Sequence, residues 1–257
     1  MKKLFCTLSL IVIFGSCSGQ SPFGKPEVDP AQIQSQFMDW WTYQYNNIML
    51  SRDFVALDAN SKEITKEQFL EALSEGKYIP IRLESDAALF YYKLFKIDPK
   101  SDSSIQATIV ETAFNEIQNL KKEGQAFPKF SFQDLNGNLI TNENLKGKTV
   151  VVKCWYIHCA ACIKEFPDVN RLVDQYKEQK DIVFISLAED TPEQLKTFLA
   201  RKPLSYAVVP NMKTYMNLTL QLNAFPTHFI INTEGNIVKV VSDFKSLEVA
   251  LKKTIAS

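Results

Sequence analysis

The feature that most constrains this chain is a pair of cysteines three positions apart, Cys159 and Cys162, in the run Cys-Ala-Ala-Cys. A run of valine and aromatic residues over 149–156 precedes the pair and predicts a buried strand. A helix is expected over about 160–178, interrupted at Pro167. Cys159 would therefore lie at a helix N-terminus, where free backbone N–H groups stabilise a thiolate, and Cys162 could reach back to close a disulfide.

The cysteine spacing alone leaves more than one kind of site open. A zinc site would need further cysteines or histidines, and a haem attachment site needs His directly after the second cysteine, where this chain has Ile163. A copper-binding or metallochaperone module is a weaker hypothesis, because the two cysteines and one of the two histidines, His158 and His228, could supply soft ligands. The favoured hypothesis is a redox site with no metal and no cofactor.

The N-terminus predicts export. A positive start at Lys2 and Lys3 is followed by an apolar run over 4–14, which is too short to cross a hydrocarbon core that needs about 20 residues. Small residues then precede Cys17, which resembles the lipobox of bacterial lipoproteins, where the cysteine carries the lipid. We expect residues 1–17 to be a signal peptide and lipidated Cys17 to anchor a periplasm-facing protein to a bacterial membrane; the alternative is ordinary secretion.

Three cysteines remain once Cys6 is removed with the signal and Cys17 carries lipid. They are Cys154, Cys159 and Cys162, an odd number packed into nine residues, which does not suit a structural disulfide framework. Cys154 alternates away from Trp155 in the strand and is expected to be a packed apolar thiol; the alternative is a third redox partner. Outside the cytoplasm the remaining pair would normally be oxidised unless a donor reduces it.

The chain divides into four segments by composition and periodicity. After the signal we expect a tether over 18–28, a small α+β domain of unknown role over 29–124 and an α/β domain over 125–257. In the last segment strands alternate with helices and end in a hairpin, which implies a sheet with one antiparallel edge. The patterns in the α+β segment predict a helix from Asp29-Pro30 that buries Trp40 and Trp41, β-like structure over 43–57, a helix capped by Thr65 and Gln68, a strand over 78–83, an ambiguous stretch over 87–97 and a helix over 104–122. We expect the aromatic residues of this segment to be core; the alternative is an interface that docks a partner, formed by Trp40, Trp41, Tyr43, Tyr45, Tyr91 and Tyr92.

The charge of the chain is balanced, with 29 basic and 29 acidic residues. There is no general electrostatic attraction to nucleic acid in such a composition, and no basic run long enough to form a nucleic-acid-binding arm. Nucleic acid is therefore not an expected partner.

Residues 150–167 (VVVKCWYIHCAACIKEFP) resemble the active-site segment of the thioredoxin superfamily, and most closely its TlpA/ResA-like branch of membrane-anchored bacterial thiol–disulfide oxidoreductases. Trp155 stands four residues before the first cysteine, as in that family, and Phe225-Pro226-Thr227 matches its cis-proline loop. The resemblance covers about 127–257 and includes a hairpin around Asn136-Gly137. It implies a thioredoxin-like domain: a central mixed sheet flanked by helices, with an N-terminal hairpin.

The resemblance also implies roles for the site residues. Cys159 would attack a substrate disulfide and Cys162 would resolve the mixed disulfide. Pro226, in a cis peptide and followed by Thr227, would face the pair, exclude metals and border the bound substrate. Glu165 would lie close to the pair and shuttle protons for Cys162.

The resemblance implies net reduction of periplasmic protein disulfides, with electrons from a membrane thiol donor. A disulfide oxidase or isomerase is the nearest alternative. His158 keeps it open, because a protonated imidazole beside Cys159 would favour the thiolate and make the disulfide easier to reduce. Lys153 is a departure from the family, since it stands where thioredoxins often have a buried acid.

Overall fold

The computed structural model describes residues 23–85 and 89–256. The expected signal peptide, its lipidation site Cys17 and the tether residues 18–22 lie outside these ranges. Residues 23–28, the described part of the expected tether, lie against the N-terminal sheet, where the Glu27 N–H donates to the carbonyl of Arg82 over 3.0 Å. In the part of the chain that the structure describes, no helix is long and apolar enough to cross a membrane.

The N-terminal half is a small α+β unit, as the sequence predicts. Its elements in chain order are α1 Pro30–Ile33, α2 Phe37–Asn47, β1 Phe54–Leu57, β2 Glu63–Ile64, α3 Lys66–Ser74, β3 Tyr78–Leu83, β4 Phe90–Lys96 and α4 Ser103–Lys122. The strands form a sheet in the order β2-β1-β4-β3, in which β1 and β4 are parallel and the other pairs antiparallel. An apolar core joins the sheet to α2, α3 and α4.

Two expectations for this half are wrong near α2. The β-like prediction over 43–57 fails in its first part, because Tyr43 to Asn47 form the end of α2. Trp40, Tyr43 and Gln44 recur at helical spacing and are buried together, and this burial outweighs the β-propensity of the aromatic residues. The expected burial of both tryptophans is also wrong, since Trp41 lies on the other face of α2 and remains exposed.

The remaining predictions for this half are largely confirmed. The side chain of Thr65 and that of Gln68 cap α3 reciprocally. The strand expected over 78–83 is β3, and the ambiguous stretch contains β4. Asp29 caps α1, but that helix ends at Ile33 and does not continue into α2.

The C-terminal half is a mixed sheet flanked by helices. Its elements are β5 Ser131–Gln133, β6 Leu139–Thr141, β7 Thr149–Trp155, α5 Ala160–Lys164, α6 Phe166–Tyr176, β8 Ile182–Ala188, α7 Pro192–Leu199, β9 Ala207–Val209, β10 Thr227–Ile231, β11 Ile237–Val241 and α8 Phe244–Ala256. The main sheet has the order β11-β10-β7-β8-β9, with β7, β8 and β9 parallel to one another and β10 antiparallel to both of its neighbours, β7 and β11. The hairpin β5–β6 precedes it, so the predicted thioredoxin-like architecture is present.

The central strand β7 separates two cores. Val150, Val152 and Cys154 face one apolar cluster, whereas Val151 and Trp155 belong to clusters on the other face. Cys154 is fully buried and its thiol is free, and burial raises its pKa. The expectation of a packed apolar thiol at this position is confirmed.

The two halves touch along α4, β11 and the start of α8. The hydroxyl of Ser242 donates to Glu116 on α4 over 2.7 Å, and Nε of Arg52 donates to the hydroxyl of Ser246 over 3.2 Å. Asp53 pairs with Lys239 on β11 and Lys253 on α8 over 3.2 and 2.7 Å. These polar contacts fix one edge of the thioredoxin-like half against the N-terminal half.

Candidate active site

Cys159 and Cys162 are joined by a disulfide, with an S–S distance of 2.01 Å. Cys159 is the N-cap of α5, and the N–H of Cys162 donates to its sulfur over 3.1 Å. Cys162 is fully buried, whereas 5% of Cys159 is exposed. A substrate can therefore reach only Cys159, and the N–H donor at its sulfur would stabilise a thiolate there after reduction.

The loop between β7 and α5 is held by backbone contacts and one carboxylate. The N–H of Ile157 donates to Asp190 over 2.8 Å, and the N–H of Cys159 donates to the carbonyl of Tyr156 over 3.1 Å. Trp155, at the end of β7, is fully buried with its ring edge-on to Phe166 at 5.0 Å. Asp190 was not singled out from the sequence, where it is one of several acids after β8 with no distinguishing signal.

The Phe225–Pro226 peptide bond is cis, as the resemblance implies. Thr227 begins β10 directly opposite Cys154, and because β10 is antiparallel to β7 the loop before it lies beside the end of β7 that leads to Cys159. The hydroxyl of Thr227 donates to the carbonyl of Ala224 over 2.8 Å and closes this loop. Phe225 packs against the apolar cluster that contains both site cysteines.

Glu165 lies between α5 and α6 and is fully engaged by buried partners. Its Oε2 accepts from Nζ of Lys153 over 2.6 Å and contacts Nε2 of His228 at 3.1 Å. Its Oε1 accepts from the N–H of Phe244 at the start of α8 over 2.7 Å. Among the described residues these are its hydrogen-bond partners, so the carboxylate ties β7, β10 and α8 together.

The charges of this polar cluster follow from burial and pairing. Burial alone would raise the pKa of Glu165, but His228 and Lys153 more than offset it, and the pKa falls to about 2. Burial lowers the pKa of Lys153 and, together with the Lys153 cation, that of His228. We assign a neutral imidazole that donates from Nε2, so Lys153 is the cation that keeps Glu165 ionised. The proton-shuttle role that the resemblance implies for Glu165 stays a prediction.

The cluster belongs to a polar row across the sheet. Ser186 on β8 and His228 on β10 both lie opposite Lys153 on β7. Within the described part of the chain, the Ser186 hydroxyl and Nδ1 of His228 are buried without a hydrogen-bond partner. The one sequence signal for this row was Lys153 itself, a charged residue inside a run of apolar strand residues.

The two histidines have different environments. His158 is exposed on the loop before Cys159, whereas His228 is fully buried and bonded to Glu165. Over residues 23–85 and 89–256, no group of three or more His, Cys, Asp or Glu side chains is arranged to hold a metal ion. The structure therefore gives the copper hypothesis no preformed ligand set in these ranges.

A mixed sheet with a leading hairpin, a cysteine pair at the start of a helix and a neighbouring cis-proline loop define a thioredoxin-like thiol–disulfide oxidoreductase. Residues 122–250 match the Redoxin family, which is half of the chain. The chain belongs to this family, and its activity is thiol–disulfide exchange on protein disulfides.

Curated relatives agree with this assignment. The thiol-disulfide oxidoreductase ResA of Bacillus cereus is 34% identical over 119 residues, which are 46% of this chain and 68% of the relative. The ResA of Bacillus subtilis is 32% identical over 121 residues, covering 47% of this chain and 67% of the relative. A solved thioredoxin domain of a thiol-disulfide oxidoreductase from Bacteroides vulgatus superposes with a TM-score of 0.47 at 23% identity, over 51% of this chain and 96% of that one.

Proposed function

We propose that this protein reduces disulfides of exported proteins from a bacterial membrane, to which lipidated Cys17 anchors it, facing the periplasm. The observation that carries the proposal is the Cys159–Cys162 disulfide at the start of α5, beside the cis Pro226 loop. The charged and apolar N-terminal run that ends at Cys17 supports the location.

The reaction follows from the unequal exposure of the two cysteines. In the reduced protein the Cys159 thiolate attacks one sulfur of a substrate disulfide, forms a mixed disulfide and releases the first substrate thiolate, which takes up a proton. The Cys162 thiolate then attacks the Cys159 sulfur and releases the second substrate thiolate, also protonated. Two electrons pass to the substrate, and the protein is left with the disulfide seen in the structure.

The disulfide must be reduced again for a second turnover. A thiol donor in the membrane would attack the sulfur of Cys159, the more accessible of the two cysteines, and release Cys162, the reverse of the resolving step. Anchoring through Cys17 would hold the site close to such a donor and raise its effective concentration. The cis Pro226 loop would border the substrate segment during both half-reactions.

Reduction of insulin disulfides by the full-length protein in detergent tests the two cysteine roles. We expect Cys159→Ser to abolish reduction, and Cys162→Ser to accumulate a mixed disulfide with the substrate because the resolving thiol is missing. Cys154→Ala is the matched control, since this thiol is buried away from the site, and it should keep its activity. Activity that persists in Cys159→Ser would exclude the proposed reaction.

The direction of the reaction is tested by the reduction potential of the Cys159–Cys162 pair. A value near or below roughly −270 mV is expected for a reductase, whereas a value of about −120 to −180 mV would mark an oxidase or isomerase. In the second case His158→Ala should lower the potential, because the exposed imidazole next to Cys159 would be the group that favours the thiolate.

The anchor is tested separately from the chemistry. Wild-type protein expressed in bacteria fed radiolabelled palmitate should carry the label and sediment with membranes, whereas Cys17→Ala should do neither. Label that persists in Cys17→Ala would exclude this lipidation site but would leave the redox proposal intact.

A further inference from the structure

Helix α2 of the N-terminal half carries an exposed apolar stripe. Met38, Trp41 and Tyr45 are 62%, 39% and 58% exposed. Their spacing of three and four residues places them on one face, opposite the buried Trp40 and Tyr43. The rings of Trp41 and Tyr45 lie 6.4 Å apart, so the stripe is a continuous surface.

The stripe meets the active-site helix at Lys164. This residue is the last of α5, the helix that Cys159 caps. Its Nζ donates to the hydroxyl of Tyr45 over 3.3 Å and lies 5.3 Å from the centre of the Tyr45 ring. The C-terminal end of the stripe is therefore joined to the redox site by a direct contact between the two halves.

An open groove of about 460 Å³ begins at Lys164, which contacts the stripe, and extends along α5 to His158, the residue before Cys159. Ala160, Ile163 and Lys164 form one wall from α5, and Phe198 and Lys202 form the other wall. His158, the neighbour of Cys159 in the chain, also lines the groove. The described lining contains two lysines and no carboxylate, so the groove is apolar with a positive rim.

We propose that the α2 stripe and this groove form one docking surface for the polypeptide segment beside a substrate disulfide, and that it selects segments carrying an aromatic and an acidic side chain. The inference rests on the proposed function, because Cys159 supplies the reaction that the surface would serve. Its continuity with the reactive cysteine argues for a substrate rather than for an unrelated partner. Its lysines complement a carboxylate, and its aromatic residues suit a buried anchor.

The dimensions of the docking surface set where those side chains should be. The five residues of α5 advance about 7.5 Å from Cys159 to Lys164. An extended substrate advances about 3.3 Å per residue, so a carboxylate two or three residues from its cysteine would reach the lysines. Trp41 lies about one turn, or 6 Å, from Tyr45 on α2, so the aromatic residue is placed about two positions beyond the carboxylate, four or five positions from the cysteine.

The test compares single-turnover oxidation of the pre-reduced, full-length protein by three disulfides. The first is the disulfide-linked dimer of a synthetic peptide with Asp two positions and Phe four positions after its only cysteine. The second dimer has Lys and Ser at those positions. The third is hydroxyethyl disulfide, which is uncharged and too small to reach Tyr45 or Trp41 from Cys159.

Wild-type protein should react with the Asp–Phe dimer on the order of 10-fold faster than with the Lys–Ser dimer, and rising salt should reduce this preference. Trp41→Ala should lower the ratio of the Asp–Phe rate to the Lys–Ser rate by at least about threefold, and Lys202→Glu should lower this ratio by a similar factor. Both variants should react with hydroxyethyl disulfide within about twofold of wild type, because neither side chain is needed for exchange itself. Phe114→Ala, which removes a half-exposed aromatic from α4, is the matched control and should change none of these rates.

The outcomes separate the two proposals. Equal rates with both dimers in wild type, or a loss in Trp41→Ala that is as large with hydroxyethyl disulfide, would overturn the docking surface and leave the redox proposal standing. A wild-type protein that is oxidised by none of the three disulfides would overturn both.

Discussion

Two glutamates, Glu116 at the contact between the halves and Glu165 beneath the active site, are both largely removed from water. Burial raises the pKa of Glu116, whose nearest partner is the neutral hydroxyl of Ser242. The pKa of Glu165 falls to about 2, because its interactions with His228 and Lys153 outweigh the same burial effect. The comparison shows that the partners of a buried carboxyl, and not burial alone, decide whether it is charged.

The difference also separates two structural roles. Glu116 on α4 accepts one hydrogen bond from Ser242, and its raised pKa favours the neutral, protonated form. Glu165 is part of an ionic cluster that joins β7, β10 and the first residue of α8. Such a cluster contributes little net stability when it is complete, but the loss of one partner leaves an uncompensated charge in the interior.

The largest expected effect follows from removing the charge at Glu165. Glu165→Gln would leave Lys153 buried without a counter-ion, and we expect the free energy of unfolding in urea to fall by about 3–5 kcal/mol at pH 7. Glu248→Gln is the control, because Glu248 pairs with Lys252 on the exposed face of α8, and it should cost at most about 0.5 kcal/mol. Equal losses in the two variants would mean that the buried cluster is not ionised.

A second substitution should rescue the first. The double variant Lys153→Met with Glu165→Gln removes both charges and keeps a similar volume, so it should recover most of the lost stability. The coupling energy from the double-mutant cycle should exceed about 1 kcal/mol. Additive losses would show that the two side chains do not interact in solution as they do in the structure.

Acid should weaken the protein through the same cluster. The folded-state pKa of His228 lies below its ordinary value of 6.5, so the unfolded chain binds a proton there first. Stability should therefore fall as pH drops below about 6.5, with a slope of up to about 1.4 kcal/mol per pH unit for one proton. His228→Gln should flatten the profile between about pH 7.5 and 5.5.

Glu165 extends this acid sensitivity to lower pH. Its folded-state pKa of about 2 lies below its ordinary value of 4.5, so its contribution is complete above 4.5 and is lost as pH falls through 2. Thermal melts of wild type and His228→Gln across pH 8 to 3 would show the loss of stability due to His228 and the further loss due to Glu165. A wild-type profile that is flat from pH 7.5 to 5.5 would contradict the assignment of a neutral His228.

The thioredoxin-like half was more predictable from sequence than the N-terminal half. The strand and the interrupted helix around the cysteines carry strong local signals, although the interruption lies at Glu165, two residues before Pro167. The Phe225-Pro226-Thr227 run marks the cis-proline loop. In α2, aromatic residues with strand propensity form a helix because tertiary packing buries one face. A single sequence contains no signal for that packing partner.

The sequence also does not predict which side chains contact the site residues. Glu165 was found as a candidate, but its contact with His228 depends on the register of β10 against β7, which local patterns do not fix. The contact between Lys164 and Tyr45 joins residues 119 positions apart. Lys153 stood out as a charge in a buried strand, yet its counter-ion could not be named without the fold.

The smallest expected effect completes the comparison at Glu116. Because its pKa is raised by burial, its contribution is complete below its ordinary value of 4.5 and is lost as pH rises through the folded-state value. Glu116→Gln keeps an acceptor for Ser242, so at pH 5 the free energy of unfolding should change by less than about 1 kcal/mol. The variant should also remove the part of the wild-type stability that declines as pH rises. A loss of unfolding free energy as large as that of Glu165→Gln would mean that Glu116 is ionised and held by a cation. Both glutamates would then be buried carboxylates in ion pairs.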